Sequence, residues 1–168
     1  MRRTILCVAI GFVVLMSAPG AMAGASDGLS ATLNGKPIPI HEVGSHSCHD
    51  LDYPILRCFD SAEKMNADLA ALSSEGRAPS AGALSVGYVI VYEHASYAGS
   101  QLAMSANQTW LSSIGWNDKI SSFKSFGATG TFREDSPAGG FVYYYGSSSQ
   151  IPVLNGTYND RFSAFYIN

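Results

Sequence analysis

Residues 116–123 read WNDKISSF, and residues 158–165 read YNDRFSAF. The two stretches share an aromatic residue, Asn-Asp, a basic residue, an apolar residue, a serine and a final Phe, in that order. They lie 42 positions apart along the chain. A match of this length at a fixed distance indicates that a segment of about 40 residues occurs twice.

A second element repeats upstream of each stretch, an aromatic residue followed by six residues and a glycine. Tyr92 and Gly99 form the first copy, and Phe132 and Gly139 form the second, 40 positions later. Within the two copies, the aromatic residue precedes the Asn-Asp pair by 25 and 27 positions. Two elements that recur in the same order at nearly constant spacing are strong evidence of internal duplication.

Short runs of alternating apolar and polar residues, separated by turn residues, fill the segment that contains both copies. This pattern is typical of an antiparallel β-sandwich. We therefore predict an all-β domain over residues 86–168, with repeats at about 86–127 and 128–168. Each repeat would form a Greek key of four short strands, and two repeats facing each other can bury one shared core.

The duplicated pattern resembles the signature of the βγ-crystallin family, aromatic-x6-Gly followed by Asn/Asp-Asn/Asp-x-x-Ser/Thr-Ser. The resemblance covers residues 86–168, about half of the chain. The first copy fits the second element fully, whereas the second copy has Ala164 at the final serine position. Gln101 and Phe141 stand where a serine usually follows the hairpin glycine. The resemblance implies a two-sheet antiparallel sandwich of two Greek keys.

In βγ-crystallins two such stretches cross and build two calcium sites. The resemblance implies side-chain ligands from the second and fifth signature positions, and backbone carbonyls from the third position and from the residue after the hairpin aromatic. The implied side-chain ligands are Asp118, Ser121, Asp160 and Ser163, the implied carbonyl ligands are Lys119, Arg161, Glu93 and Arg133, and the supporting signature residues are Asn117, Asn159 and Ser122.

The residues themselves are compatible with that chemistry. Calcium takes six to eight oxygen ligands, and Asp118 and Ser121 supply a carboxylate and a hydroxyl. One copy offers too few oxygens, so a site needs both copies. About one carboxylate per site, with Lys119 and Arg161 close by, predicts modest affinity. The alternative is that Asn, Asp and Ser only form turns, which these residues favour in any case.

The first 23 residues have the pattern of a secretory signal peptide. Two arginines precede the apolar run Thr4–Met16, and a small-x-small motif ends at Ala23, the expected cleavage site. We therefore predict a secreted protein without a membrane span in its mature form, since the apolar run is shorter than a spanning helix. Cleavage would leave two cysteines, Cys48 and Cys58, which in an exported chain most simply form a disulfide.

Residues 24–77 are predicted to form an N-terminal extension, and residues 78–85 a linker. One helix is expected at about residues 60–74, capped by Asp60 with Glu63 three residues later. Its apolar residues follow helical spacing, so that one face should pack on the later domain. The disulfide would tie down the start of this helix.

Composition and motifs exclude several classes of function. The full chain has a formal charge of −3, and removal of the signal peptide leaves −5, so nucleic-acid binding is not expected. No nucleophile elbow and no Gly-rich phosphate loop occurs, and we predict a non-enzymatic protein. A cluster around His41, His46, His49 and Cys48 matches no established zinc spacing.

Two alternative functions use the same fold. The chain could inhibit extracellular proteases, since secreted bacterial metalloproteinase inhibitors share the βγ-crystallin sandwich; the absence of cysteine from residues 86–168 speaks against a pinned inhibitory loop. It could also bind carbohydrate or a cell surface through exposed tyrosines, with Tyr144 as the candidate because side chains alternate across a strand.

Overall fold

We describe a computed structural model for residues 28–75, 87–137 and 139–168. The predicted signal peptide, its cleavage site at Ala23 and the predicted linker lie outside these residues. Eleven strands and one α-helix follow one another along the chain in these ranges. They are β1 Ser30–Leu33, β2 Lys36–Ile38, β3 Ser47–Asp52, β4 Ile55–Phe59, α1 Ala62–Ser74, β5 Tyr88–His94, β6 Ala98–Met104, β7 Ser122–Phe126, β8 Gly130–Arg133, β9 Val142–Tyr145, β10 Gln150–Ile151 and β11 Ala164–Ile167.

The strands form two sheets. Among the described strands, the second repeat contributes to both sheets, and the first repeat contributes to the larger sheet only. The larger sheet has the order β10-β7-β5-β6-β3-β4-β1-β2, and the smaller has β11-β8-β9. β10 belongs to the second repeat but pairs with β7 of the first. In the reverse direction, Gln108 of the first repeat bridges to Phe165 in β11. This exchange interlocks the repeats, and the predicted all-β sandwich of two Greek keys is confirmed.

The N-terminal extension adds four strands to the larger sheet, which the sequence analysis did not predict. β3 pairs in parallel with β6, with Cys48 opposite Leu102 and His49 opposite Ala103. β4 is antiparallel to β3, and β1 is parallel to β4. The sheet is therefore antiparallel within the repeats and mixed where the extension joins it.

An aromatic core fills the space between the two sheets. Trp116, Phe123, Phe132, Phe162 and Phe165 are all fully buried there. Phe132 stacks on Phe162 with ring centroids 5.0 Å apart. Buried aliphatic side chains of the extension join the same core, namely Val43 and Leu56. Large rings bury a large apolar area per residue, which suits a sandwich as small as this one.

The predicted helix is present as α1, but its cap differs from the prediction. Ser61, not Asp60, is the N-cap, and its hydroxyl accepts a hydrogen bond from Lys64 N. Asp60 instead pairs with the Lys64 ammonium at 2.8 Å. Met65 and Leu69 pack on the outer face of the larger sheet, as the apolar spacing predicted. None of the helices in the described ranges is long and apolar enough to cross a membrane.

The predicted disulfide is confirmed. Cys48 in β3 and Cys58 in β4 lie directly opposite each other and are joined through their sulfur atoms. Both cysteines are buried in the core. The bond therefore fixes the pairing of two strands of the extension and holds the segment that leads into α1.

Candidate metal site

The two signature turns have the same unusual backbone conformation. Asp118 and Asp160 both lie in the left-handed region, with φ of 54° and 53°. Asp118 N donates to the carbonyl of Phe162, and Asp160 N donates to the carbonyl of Ile120, each at 3.1 Å. These reciprocal bonds cross the turns over each other with approximate twofold symmetry. Asp tolerates this conformation better than most residues, which explains its place in both copies.

The crossing brings together side chains of opposite repeats at a place that we term the first cleft, defined by the Ser121–Asp160 and Lys119–Glu93 pairs. The Ser121 hydroxyl donates to Asp160 Oδ1 at 2.8 Å. Asn159 Nδ2 donates to the other carboxylate oxygen at 2.7 Å and orients it. Lys119 Nζ lies 3.8 Å from Glu93 Oε1. The serine at the fifth signature position of the first copy thus contacts the aspartate at the second signature position of the second copy.

The second cleft is the symmetric counterpart and is lined entirely by polar residues. It encloses about 270 Å³. Asn117 Nδ2 donates to Asp118 Oδ2 at 2.6 Å, matching the pair in the first cleft. The Arg161 guanidinium pairs with Glu134. The lining consists of Asp118, Ser163, Glu134, Asp135, Arg161 and Asp160, which lies between the two clefts.

The carboxylates of Asp118, Glu134, Asp135 and Asp160 lie together at the second cleft. Burial raises the pKa of Asp118, and the neighbouring carboxylates of Asp160 and Asp135 raise it further. The Asn117 amide and the Arg161 guanidinium act in the opposite direction. A carboxyl whose ionised form is disfavoured by other carboxylates gains from an added cation. The second cleft therefore has the electrostatics of a cation site.

The register of the second hairpin differs by one residue from the one inferred from the sequence. Tyr92 is opposite Ser122, whereas Arg133, not Phe132, is opposite Ala164. The corresponding left-handed glycines are Gly99 and Gly140, with φ of 81° and 65°. Gly139 is therefore not the hairpin glycine, and an arginine occupies the aromatic position of the second copy.

Because of this shift, the residue of the second repeat that is structurally equivalent to Glu93 is not the one inferred from the sequence. Glu93 Oε2 accepts from Ser100 N at 3.4 Å, and Glu134 Oε2 accepts from Phe141 N at 3.2 Å. Glu134 is thus the structural equivalent of Glu93. The carbonyl of Arg133, a predicted ligand, accepts from Ser163 N at 2.8 Å, just as the Tyr92 carbonyl accepts from Ser121 N. The carbonyl of Glu134 takes its place as the candidate ligand.

The final signature serine has a structural role in the first copy. Ser122 Oγ donates to the His94 carbonyl at 2.7 Å and accepts from Tyr97 N at 3.1 Å. These bonds fold the hairpin between β5 and β6 over the sheet. Ala164 cannot make them, and the second hairpin is held instead by Glu134 and its partner Arg161.

The histidine- and cysteine-rich segment forms no metal site. His49 is buried and bonds to Asp68 at 2.9 Å, while Cys48 is in the disulfide. Across residues 28–75, 87–137 and 139–168, no three His, Cys, Asp or Glu side chains are arranged to hold a metal ion by themselves. Any site in the two clefts must therefore combine carboxylates with hydroxyl and carbonyl oxygens.

Sequence reasoning missed two carboxylates of the second cleft, Glu134 and Asp135. One sequence feature could have identified Glu134. In each copy a glutamate in the hairpin pairs with the basic residue at the third signature position. Glu93 faces Lys119, and Glu134 faces Arg161. Aligning the hairpins on these glutamates gives the observed register.

No protein-family model matches the chain, and no curated protein matches it. Similar solved structures are βγ-crystallin domains. One of them represents the evolution of the eye lens βγ-crystallin domain fold. Its sequence is 26% identical to this chain, the match covers 52% of this chain and 90% of the other, and the TM-score is 0.47. A βγ-crystallin domain from Clostridium beijerinckii is 26% identical, with 48% and 95% coverage and a TM-score of 0.43.

A third structure, a clostrillin double mutant in complex with nickel, is also 26% identical, covers 48% of this chain and 95% of its own, and has a TM-score of 0.43. The matched share of this chain is about half in each case. In the described structure, β10 of the second repeat pairs with β7 of the first, and the two Asn-Asp turns cross each other. The C-terminal half of the chain therefore has the βγ-crystallin fold.

Proposed function

We propose that the two clefts bind calcium and that the ion stabilises a secreted, non-enzymatic domain. The observation that carries this proposal is the bond between Ser121 and Asp160 at 2.8 Å, which joins opposite repeats. Asp118 and Ser163 line one cleft in the symmetric arrangement. A turn with only a structural role has no need for a carboxylate and a hydroxyl that converge from separate repeats.

The donor set suits a hard cation. Carboxylate, hydroxyl and carbonyl oxygens are calcium ligands, and the ion accepts irregular geometry with water completing the shell. In the first cleft the donors would be Asp160, Ser121 and the carbonyls of Glu93 and Lys119. In the second they would be Asp118, Ser163 and the carbonyls of Glu134 and Arg161.

The basic side chains at the third signature position weaken both sites. Lys119 and Arg161 place positive charge beside the proposed ligands, and this charge opposes a bound cation. Each also pairs with the glutamate of its cleft, so that glutamate is less available to attract the ion. We expect dissociation constants of about 0.1–1 mM, the range of extracellular calcium modules. The second cleft, with Asp135 and Glu134 besides Asp118, should bind more tightly than the first.

Thermal unfolding of the mature protein in calcium and in chelator tests the proposal. Binding to the folded state alone adds RT ln(1 + [L]/Kd), or about 1.4–2.7 kcal/mol when the ion is at 10–100 times its Kd. We expect a rise in Tm of the order of 5 °C at millimolar calcium. Calorimetry should show saturable heat under the same conditions.

The variants Asp118→Asn and Asp160→Asn should each weaken binding at least several-fold, because each removes a charged ligand. Asp60→Asn is the matched control, since Asp60 is an exposed carboxylate on the extension. Absence of both a Tm shift and a heat of binding would refute calcium binding. An equal effect of the Asp60 variant would point to nonspecific charge screening.

Export is part of the same proposal. The predicted signal peptide supports it, and the buried Cys48–Cys58 disulfide is typical of an oxidising compartment. Expression of the full chain should release a mature protein beginning at Gly24, as N-terminal sequencing would show. Retention of an uncleaved chain in the cytoplasm would contradict export.

A further inference from the structure

A separate cleft lies where the β3–β4 hairpin meets the segment that follows β6. Its volume is about 220 Å³, and both polar and apolar groups line it. Every lining side chain of this cleft in the described structure is uncharged. Tyr53, Trp110, Asn107, Gln108, Thr109 and Ser113 form most of the wall. We call it the aromatic cleft.

Two large rings in the aromatic cleft remain exposed. Tyr53 is 51% and Trp110 is 52% exposed. The other tryptophan, Trp116, is completely buried in the core. Exposing a tryptophan to water forgoes a large apolar gain, so paired exposed rings in one cleft indicate a contact surface.

The backbones that carry both rings are fixed by a buried carboxylate. Asp50 accepts from Ser105 N at 2.6 Å, from Ser105 Oγ at 2.8 Å and from Ala106 N at 3.2 Å. The Asp50 carbonyl accepts from Tyr53 N at 2.8 Å. One residue thus binds the hairpin that bears Tyr53 to the segment that leads to Trp110.

The local turn at Trp110 is equally fixed. Its carbonyl accepts from Ser113 N at 3.1 Å and from Ser113 Oγ at 2.8 Å. Asn107 Oδ1 accepts from Ile167 N at 2.9 Å, which ties the same segment to β11. A cleft whose walls are already ordered loses little conformational entropy when a ligand binds.

The polar groups of the cleft are amides and hydroxyls. Gln108 is 4% exposed. Its side-chain amide faces the buried Asp50 carboxylate, and the hydrogen bond between them opposes the rise in the pKa of Asp50. Asn107, Thr109 and Ser113 supply the other amide and hydroxyl groups of the lining, which are the groups that pair with the hydroxyls of a ligand.

We propose that the aromatic cleft binds one residue of a neutral carbohydrate. A sugar ring has an apolar C–H face that stacks on aromatic side chains and a rim of hydroxyls that pair with amides and serines. An anionic ligand such as a phosphate would find no cationic side chain among the lining residues. The volume lies below the range of about 300–1,000 Å³ that drug-sized ligands need, and it suits a single ring.

This placement differs from the one expected from the sequence. Tyr144 is 77% exposed on β9, but it lies outside the residues that line the aromatic cleft. A single exposed ring offers stacking without hydrogen-bonding partners, whereas Tyr53 and Trp110 share a cleft with amides. The carbohydrate site is therefore inferred at these two residues, and Tyr144 provides a control.

Titration of the full-length mature protein with chitohexaose, cellohexaose, xylohexaose and maltohexaose tests this inference. Tryptophan fluorescence is a direct readout, because Trp110 is exposed and Trp116 is buried. We expect a saturable blue shift with at least one oligosaccharide, equal in calcium and in chelator. Polygalacturonate is the charged comparison and should not bind.

The variants Trp110→Ala and Tyr53→Ala should each reduce affinity at least 10-fold by calorimetry, whereas Tyr144→Ala should leave it unchanged. Trp110→Phe keeps a ring and should retain partial affinity, which separates loss of stacking from loss of folding. No binding to any neutral oligosaccharide, binding to polygalacturonate alone, or equal loss in the Tyr144 variant would overturn the inference. The outcome is independent of calcium binding.

Discussion

Asp50 and His49 are neighbouring buried residues that respond to pH in opposite directions. Burial raises the pKa of Asp50 to about 6, although the hydrogen bonds from Ser105 and Ala106 oppose the shift. Burial lowers the pKa of His49, and the contact with Asp68 only partly offsets it. The folded state thus favours the neutral form of both groups.

The sign of each contribution follows from these directions. Asp50 binds its proton more tightly in the folded state, so its contribution to stability falls as pH rises from about 4 to about 6. The pKa of His49 is lower in the folded state, so its contribution falls as pH drops through its unfolded value of about 6.5. The two effects partly cancel in the whole protein, and a substitution is needed to separate them.

Asp50→Asn should remove the first effect. The stability of the native protein relative to the variant should decrease by about 1–3 kcal/mol between pH 4 and pH 6.5, because only the native chain loses a proton there. Urea unfolding at several pH values measures this difference, and His49 cancels because both proteins retain it.

Asp60→Asn is the control for this experiment. The hydrogen bond from Lys64 holds the pKa of Asp60 below its usual value, so that variant should show no such decrease. A constant difference between the native protein and the Asp50 variant over this pH range would contradict the prediction.

The hairpin register shows where residue-level reasoning reached its limit. Phe132 matches the aromatic pattern, yet it points into the core and stacks on Phe162. Tyr92 packs instead on the outer face beside α1. Spacing alone cannot tell which face of a strand a ring occupies, and a shift of one residue exchanges the faces. The Asn-Asp turns were predictable because their conformation depends on local residue types.

At the scale of elements, the prediction of α1 was reliable because its apolar spacing is strictly helical. The extension strands were missed for a physical reason. β3 reads SCHDLD, a polar sequence, yet Ser47, His49 and Asp50 are all buried. Long-range hydrogen bonds to Asp68, Ser105 and Ala106 make this burial possible, and none of those partners is visible in a local pattern.

The cap of α1 provides a test at this scale. Ser61→Ala should destabilise the protein by about 0.5–2 kcal/mol, because Lys64 N then loses its side-chain acceptor at the helix start. Chemical denaturation measures the change. Asp60→Ala, which removes the exposed pair with Lys64 and a hydrogen bond with Asn34 but keeps the Ser61 cap, should have a smaller effect. A larger loss in the Asp60 variant would mean that the sequence-based assignment of the cap was correct after all.

At the scale of the molecule, the extension and the repeats share one core and meet at close range. The 3₁₀ turn Ile40–Ser45 passes so near the Leu111–Ile114 turn that a Cβ at Gly44 would overlap the carbonyl oxygen of Gly115. Beside this contact, Lys119 Nζ donates to the Gly44 carbonyl at 3.1 Å. The extension therefore touches the first cleft directly.

Gly44→Ala should separate these surfaces and destabilise the whole chain by about 1–3 kcal/mol. Urea unfolding followed by both tryptophan fluorescence and circular dichroism should show one transition displaced as a unit, because the core is continuous. Gly156→Ala is the control, since a Cβ there meets nothing within 4 Å. Separate transitions for the two signals, or equal effects of the two variants, would contradict the shared core.

The pairing of β3 with β6 also affects the tendency of the protein to aggregate in solution. Without the extension, β6 would present a row of unpaired amides and carbonyls to which a second chain could add a strand. Pairing moves that edge outward to β2, which has an exposed lysine, Lys36, and a proline without an N–H group, Pro37. Both features discourage strand addition, so the extension protects this side of the sandwich from aggregation.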